Sequence, residues 1–275
     1  VNKDDFGYML GSAQVGMLPN GHWMAFVGNG PYSVNGRAAL LMIDLTDGSV
    51  TSVPTAAADS GNGLGAVRLV KNSNQQVTDV YAGDLKGQLW HFNVSTSTPA
   101  ASLIFNATND RAIPQPITAA PSVMAHPRGG NMITFGTGKL FDDTDSDDSS
   151  QQSIYGVWEK PYASATTRGE LVPQIIVRDP VASANGRSYY DLTFQDVDYA
   201  TKRGWYIDLN QADGQRVIYA TTAIKNFVLI NTVAPVTTLQ AQTCDNNGKG
   251  FTWLLPTLMD GTYDSTPVLD TNGDG

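Results

Sequence analysis

The stretch YAGDLKGQLWHF, Tyr81 to Phe92, decides the fold. Two β-forming runs flank a short polar turn, so the stretch reads as a strand, a tight hairpin and a returning strand. Its opening phrase is two apolar residues, a glycine and a polar residue: Tyr81-Ala82-Gly83-Asp84. The phrase recurs as Phe26-Val27-Gly28-Asn29 and as Thr134-Phe135-Gly136-Thr137, where Thr134 departs from the first apolar position. The three glycines are 55 and 53 residues apart. Each unit then turns and returns on a strand with a bulky residue, Leu41, Trp90 or Tyr155. A supersecondary unit recurring at roughly fifty residues is the signature of a propeller blade. The glycine either lets the backbone approach a neighbouring blade near the central channel or takes a dihedral that other residues avoid. A jelly roll or sandwich would also show short strands, but not three copies of one phrase.

The rest of the chain agrees. Short β-rich runs bounded by Gly, Asn and Asp dominate: WMAFVGNG (Trp23–Gly30), ALLMIDL (Ala39–Leu45), MITFGTG (Met132–Gly138), SIYGVWE (Ser153–Glu159), GWYIDL (Gly204–Leu209), RVIYATT (Arg216–Thr222) and NFVLIN (Asn226–Asn231). No long stretch carries apolar residues at i, i+3, i+4 and i+7. The expectation is an all-β chain: a modified, partial or truncated propeller of four-stranded blades. Three segments interrupt it. Ser52–Gly65 is a loop by composition, Phe141–Gln152 is an acidic loop, and Val181–Gly204 reads as an insertion with a short helix or hairpin.

With 275 residues and 41% hydrophobic content, the chain can bury a full core, and residues 1–275 read as one domain fragment. It starts at Val1 without an initiator methionine and stops inside a motif, so both ends are expected to be cuts. The net charge of −9 argues against a nucleic-acid partner, which needs clustered Lys and Arg. No run of 18 apolar residues exists to span a bilayer. The single cysteine, Cys244, excludes a thiolate zinc cage and leaves two readings: a semi-buried thiol, or half of a disulfide. Low cysteine with abundant Gly, Ser, Thr, Asn and Gln suits an exported bacterial protein.

Catalytic signals are absent. His22, His91 and His126 form no His-x-x-x-His pair, and each reads as a structural or surface residue. There is no nucleophile elbow, phosphate loop or dinucleotide fingerprint. GNGPYSVNG is glycine-rich but follows a strand into a loop, not onto a helix. The expectation is a protein that is not an enzyme.

The metal signal lies at the end, in LDTNGDG. Calcium takes six to eight hard oxygens, and an EF-hand-type loop supplies them from positions 1, 3 and 5 with Gly at 6. Asp270, Asn272, Asp274 and Gly275 fill those positions, so the candidate metal ligands are Asp270, Asn272 and Asp274. The later ligands of such a loop are not in the chain, and the expected Ca2+ site is incomplete. The plainer reading is an Asx-rich turn. A second stretch, Val70–Thr78, is a worn copy with Asn72 and Asn74 in place but no carboxylate, and reads as a metal-free turn. The acidic loop, with Asp142, Asp143, Asp145, Asp147 and Asp148, reads as a solvated charge run, because Asp148 stands where the glycine would be needed.

Taken in order, NGHWMAFVGNGPYSVNGRAALLMIDLTDG (Asn20–Gly48), VYAGDLKGQLWHFNVS (Val80–Ser95), QPITAAPSV (Gln115–Val123), ITFGTGKLF (Ile133–Phe141), QSIYGVWE (Gln152–Glu159), RGWYIDLNQADGQRV (Arg203–Val217) and STPVLDTNGDG (Ser265–Gly275) resemble the C-terminal β-propeller domain of the PilY/PilC family. These are tip-associated biogenesis factors and adhesins of type IV pili. The resemblance implies a modified seven-blade propeller of which this chain is part, working at the pilus tip, outer surface or periplasm of a Gram-negative bacterium. It implies roles in pilus assembly, extension and retraction, twitching motility and attachment, with minor pilins and an unidentified surface receptor as partners. Asp270, Asn272 and Asp274 map onto the first three ligands of the family's regulatory calcium loop. The worn copy puts a second calcium site in doubt, and Arg168-Gly169-Glu170 in place of an Arg-Gly-Asp tripeptide gives no support for integrin binding.

Two other classes compete. IDLTDG (Ile43–Gly48) also resembles the repeat of quinoprotein propeller enzymes, but it occurs once and without a convergent cofactor site. A carbohydrate-binding propeller could use the 5 Trp and 11 Tyr as a sugar platform, although blade packing needs such residues too.

Overall fold

A computed structural model describes residues 3–55, 60–176, 181–182, 188–190, 192–235 and 248–262. The first sheet is β1 (Gln14–Met17), β2 (Trp23–Gly28), β3 (Ala39–Asp44) and β4 (Val50–Pro54), paired in that order. The second is β5 (Leu64–Lys71), β6 (Val77–Asp84), β7 (Gln88–Asn93) and β8 (Ala100–Asn106), again in order. Both are antiparallel meanders.

The third sheet departs from the expected four strands. It begins with β9 (Ser122–Ala125), β10 (Asn131–Gly136) and β11 (Ser153–Glu159). The next strands in sequence are β12 (Val172–Ile176), the hairpin β13 (Val181–Ala182) and β14 (Ser188–Tyr189), and β15 (Leu192–Thr193). The strand beside β11 is none of these but β16 (Gly204–Asp208), and β12 then pairs parallel to β16 and antiparallel to β15. The sheet has six strands in the order β9-β10-β11-β16-β12-β15. The expected insertion after Val181 holds a hairpin among its described residues. The fourth sheet is β17 (Thr222–Ile224), β18 (Phe227–Ala234) and β19 (Lys249–Pro256). The run RVIYATT is not the strand its composition suggests: Arg216 makes an isolated bridge to Val233, and regular pairing starts only at Thr222.

Side-chain alternation explains how the sheets assemble. Successive residues on a strand point to opposite faces. On β6, Val80 and Ala82 pack into a core with Phe26, Leu40 and Met42 of the first sheet. Tyr81, between them, packs the other way, with Ile133, Phe135 and Tyr155 of the third. On β11, Tyr155 and Val157 face the second sheet, while Ile154 and Trp158 join Val228, Ile230, Trp253 and Leu255 of the fourth. The inner strands β2 and β11 are therefore buried along almost their whole length, and the rim strand β4 is only partly buried. Each fully buried large apolar side chain contributes roughly 1.5–3 kcal/mol, against about 1 kcal/mol net for a hydrogen bond. The interfaces between sheets, not the ladders within them, are the core.

The repeated glycines hold equivalent positions. Gly28, Gly83 and Gly136 sit at or next to the end of the second strand of their sheets. The bulky returning residues are equivalent too: Leu41, Trp90 and Tyr155 each pair with the residue just before the glycine. Close approach is the reason for glycine. A Cβ at Gly28 would lie 2.0 Å from the Gly65 carbonyl oxygen, at Gly83 2.1 Å from Ile117 Cγ2, and at Gly136 2.2 Å from Val217 Cγ2. The obstacle at Gly28 belongs to the first strand of the second sheet, and those at Gly83 and Gly136 to the segments leading into the third and fourth sheets.

Candidate functional site

The polar residue after each repeat glycine is buried and fastens the hairpin. Asn29 Oδ1 accepts the Ala39 N–H at 3.0 Å, Asp84 Oδ1 the Gln88 N–H at 2.9 Å, and Thr137 Oγ1 the Ser153 N–H at 2.8 Å. Each donor is the first residue of the third strand. Asn29 also accepts the Leu64 N–H at 2.9 Å, tying the first sheet to the second. The Asp84 carboxylate accepts two further side-chain donors, Asn62 Nδ2 at 3.0 Å and Trp90 Nε1 at 2.9 Å. Burial nonetheless pushes its carboxyl above the usual range.

The loops that follow these residues carry the densest chemistry. The acidic loop is not the solvated charge run that its sequence suggests. Asp145 is 1% exposed, and its carboxylate accepts the Phe141 N–H at 2.9 Å, the Asp142 N–H at 3.0 Å and the Lys139 ammonium. Burial alone would raise this carboxyl, but Lys139 and the backbone donors outweigh it and hold it below the usual range. Beneath the loop lies Arg216, also 1% exposed. Its guanidinium donates to the carbonyls of Lys139 at 2.9 Å, Asp145 at 2.6 Å and Gly214 at 2.8 Å, and to that of Asp148. A fixed internal cation thus organises the carbonyls of an acidic loop. The exposed Asp143 and Asp147 complete its outer rim.

The histidines occupy three different settings. His22 pairs with Asp44 at 2.7 Å at the surface. His91, placed by β7, contacts Asp79 through Nε2 at 2.7 Å and Glu159 through Nδ1 at 2.7 Å. Its ring stacks on Tyr81, whose hydroxyl donates to Glu159 at 2.6 Å. Burial would lower the His91 pKa, but the two carboxylates reverse this and raise it to about 9. With both nitrogens engaged and the ring protonated at neutral pH, His91 is a poor general base. The sequence reading found no partners for it, and the structure supplies two carboxylates. His126 stacks on Trp158 at 4.2 Å and meets Tyr199 edge-on. Burial and the Arg128 charge lower its pKa to about 4, against the opposing pull of Asp260.

The sequence-predicted metal ligands Asp270, Asn272 and Asp274, and Cys244, lie outside the described residues. The worn copy is described. Asn72 Oδ1 accepts the N–H groups of Asn74 at 2.9 Å and Gln76 at 3.0 Å, so the turn's own backbone takes the oxygen that a cation would use. Gln75 holds the left-handed conformation in place of the glycine, with φ 61°. Among the described residues, no group of three or more His, Cys, Asp or Glu is arranged to hold a metal ion. Arg168, first of the Arg-Gly-Glu tripeptide, is folded inward: it pairs with Asp208 at 2.7 Å and lies 3.8 Å from the Tyr206 ring centroid. No described helix is long and apolar enough to cross a membrane.

This architecture has counterparts. The family model for the PilY1 beta-propeller domain matches residues 1–182. The chain belongs to the PilY1 β-propeller family. It is 33% identical to a type IV pilus biogenesis factor PilY1 of Pseudomonas aeruginosa strain PAO1, over 85% of this chain and 24% of that protein. A PilY1 homolog of Xylella fastidiosa is 30% identical over 94% of this chain and 19% of its own length. The chain thus spans about a quarter or less of these curated relatives. The crystal structure of the Pseudomonas aeruginosa PilY1 C-terminal domain superposes with a TM-score of 0.82 at 28% identity, covering 94% of this chain and 61% of that one.

Sequence reasoning missed the His91 cluster and the Arg216 anchor, because their parts are brought together only by the packing of separate sheets. The one local hint was the conjunction of Asp79 and His91 on neighbouring strands of a single hairpin.

Proposed function

We propose that this chain is the propeller portion of a non-enzymatic type IV pilus biogenesis factor, exported and acting at the pilus tip or outer surface of a Gram-negative bacterium. The observation that carries the reading is the superposition on the PilY1 C-terminal domain across 94% of the chain. In this role the propeller supports pilus assembly, extension and retraction, twitching motility and attachment. Its partners are minor pilins at the tip and a surface receptor, and nucleic acid is not among them, given the net charge of −9. The engagement of both His91 nitrogens by carboxylates supports a binding rather than a catalytic role.

Calcium regulation belongs to the same reading. Asp270, Asn272 and Asp274 offer hard oxygen donors at alternate positions, the donor chemistry that calcium takes. They would supply three ligands of one loop, with the remainder from residues that follow.

The test is replacement. In a bacterium whose PilY1-type factor lacks the matching propeller segment, insertion of this chain should restore surface pili and twitching zones. Stable, exported chimaera with no pili would sink the reading.

A further inference from the structure

The loops joining second to third strands in the first three sheets meet over a cleft of about 410 Å³. Its walls include Tyr32 and Ser33 from the first sheet's loop, Leu85 from the second's, and Lys139, Phe141 and Asp142 from the third's. We propose that this cleft binds a neutral saccharide of one or two sugar units. The inference goes beyond the pilus reading and does not depend on it.

Four observations converge. Tyr32 is an ordered aromatic that the core does not use: its residue is 61% exposed, yet its hydroxyl donates to Asp142, 110 residues away, and its ring meets Tyr8 and Phe141 edge-on at 5.7 and 6.5 Å. Its backbone is left-handed at φ 63°, a conformation that disfavours a tyrosine and would suit glycine. Ser33, 7% exposed, belongs to the cleft's lining, and its buried hydroxyl has no hydrogen-bond partner in the protein. A buried orphan hydroxyl is costly unless a ligand satisfies it. Lys139 holds Asp145 and stands 3.7 Å from Asp142, so the wall offers an ammonium and an accepting carboxylate with an acidic balance.

That set selects the ligand class. A sugar ring has a C–H face that lies on an aromatic side chain, and adjacent hydroxyls that both donate and accept. Asp142 accepts from one hydroxyl, while Lys139 serves its neighbour. The carboxylates beside Lys139 disfavour phosphate. The volume lies at the small end of ligand pockets, which fits one or two rings rather than a long chain. The tryptophans are not the platform: Trp90, Trp158, Trp205 and Trp253 are buried between sheets, and Trp23, 54% exposed, is not part of the cleft's lining.

The test is a glycan array of defined neutral saccharides probed with the full chain, followed by calorimetry with the strongest binder. Tyr32→Gly is the decisive variant. It removes the ring and suits the left-handed backbone, so the fold is kept. Asp142→Asn is the second. Each should weaken binding about tenfold or more, with the thermal midpoint unchanged or raised in Tyr32→Gly. Tyr162→Ala, an exposed tyrosine outside the cleft, should leave binding intact. No saccharide bound at millimolar concentration, or equal binding by Tyr32→Gly, overturns the proposal.

Discussion

Nδ1 of His91 lies 2.7 Å from a carboxylate oxygen of Glu159, across the boundary between the second and third sheets, while Nε2 holds Asp79 on its own sheet. The contact turns a protonation state into a joint between sheets. Its counterpart is His126, kept neutral at the third sheet's other face against Trp158 and Tyr199.

The two histidines bound stability from opposite sides. The His91 pKa is raised to about 9, so its contribution is complete below pH 6.5 and is lost as the pH climbs towards 9. The His126 pKa is lowered to about 4, so the unfolded chain takes up a proton first, and stability is lost as the pH falls from 6.5 towards 4. Urea midpoints measured from pH 4 to 9 should show both limbs. His91→Gln should flatten the alkaline limb alone. An unchanged alkaline limb in that variant would refute the assignment.

Gly83→Ala should destabilise by about 1–3 kcal/mol, because the new methyl lands on Ile117. The double variant Gly83→Ala, Ile117→Ala should couple: its loss should be less than the sum of the two single losses, read from denaturant midpoints. Strict additivity would show that close approach is not the reason for the glycine.

Arg216→Met should cost about 2–4 kcal/mol, because four carbonyls, those of Asp145 and Asp148 in the acidic loop among them, lose a charged donor. The loop should also become open to cleavage between Asp142 and Asp148 by a protease specific for acidic residues. Wild-type resistance retained in the variant would show that the loop orders itself.

In a polypeptide extended beyond Gly275, Asp270→Ala should weaken calcium binding at least about tenfold in a calorimetric titration, since it removes a charged first ligand. Equal affinity in both forms would place the ion elsewhere.

The blades were legible because their signal is local. Gly28, Gly83 and Gly136 carry the repeat, and the residue paired with each preceding position, Leu41, Trp90 or Tyr155, falls within the same hairpin. The third sheet was less legible. GWYIDL reads as a strand, but nothing in it announces that it pairs with residues 153–157 across a long excursion. The acidic loop was misread for a related reason. Its composition is that of solvated charge, and the residue that orders it, Arg216, arrives about seventy positions later.

The strand order of the third sheet has a consequence for how such a chain can change in length. Between Glu159 and Gly204 the chain ties back to the second sheet, where Thr166 bridges Phe105, adds β12 and β15 at the outer edge of its own sheet, and packs Tyr199 into the core shared with the fourth. The inner strands β9, β10 and β11 keep their consecutive pairing through this detour. The edge strands β12 and β15 are therefore where sequence can be gained or lost while the inner strands stay fixed, a docking point for novelty on an otherwise rigid wheel.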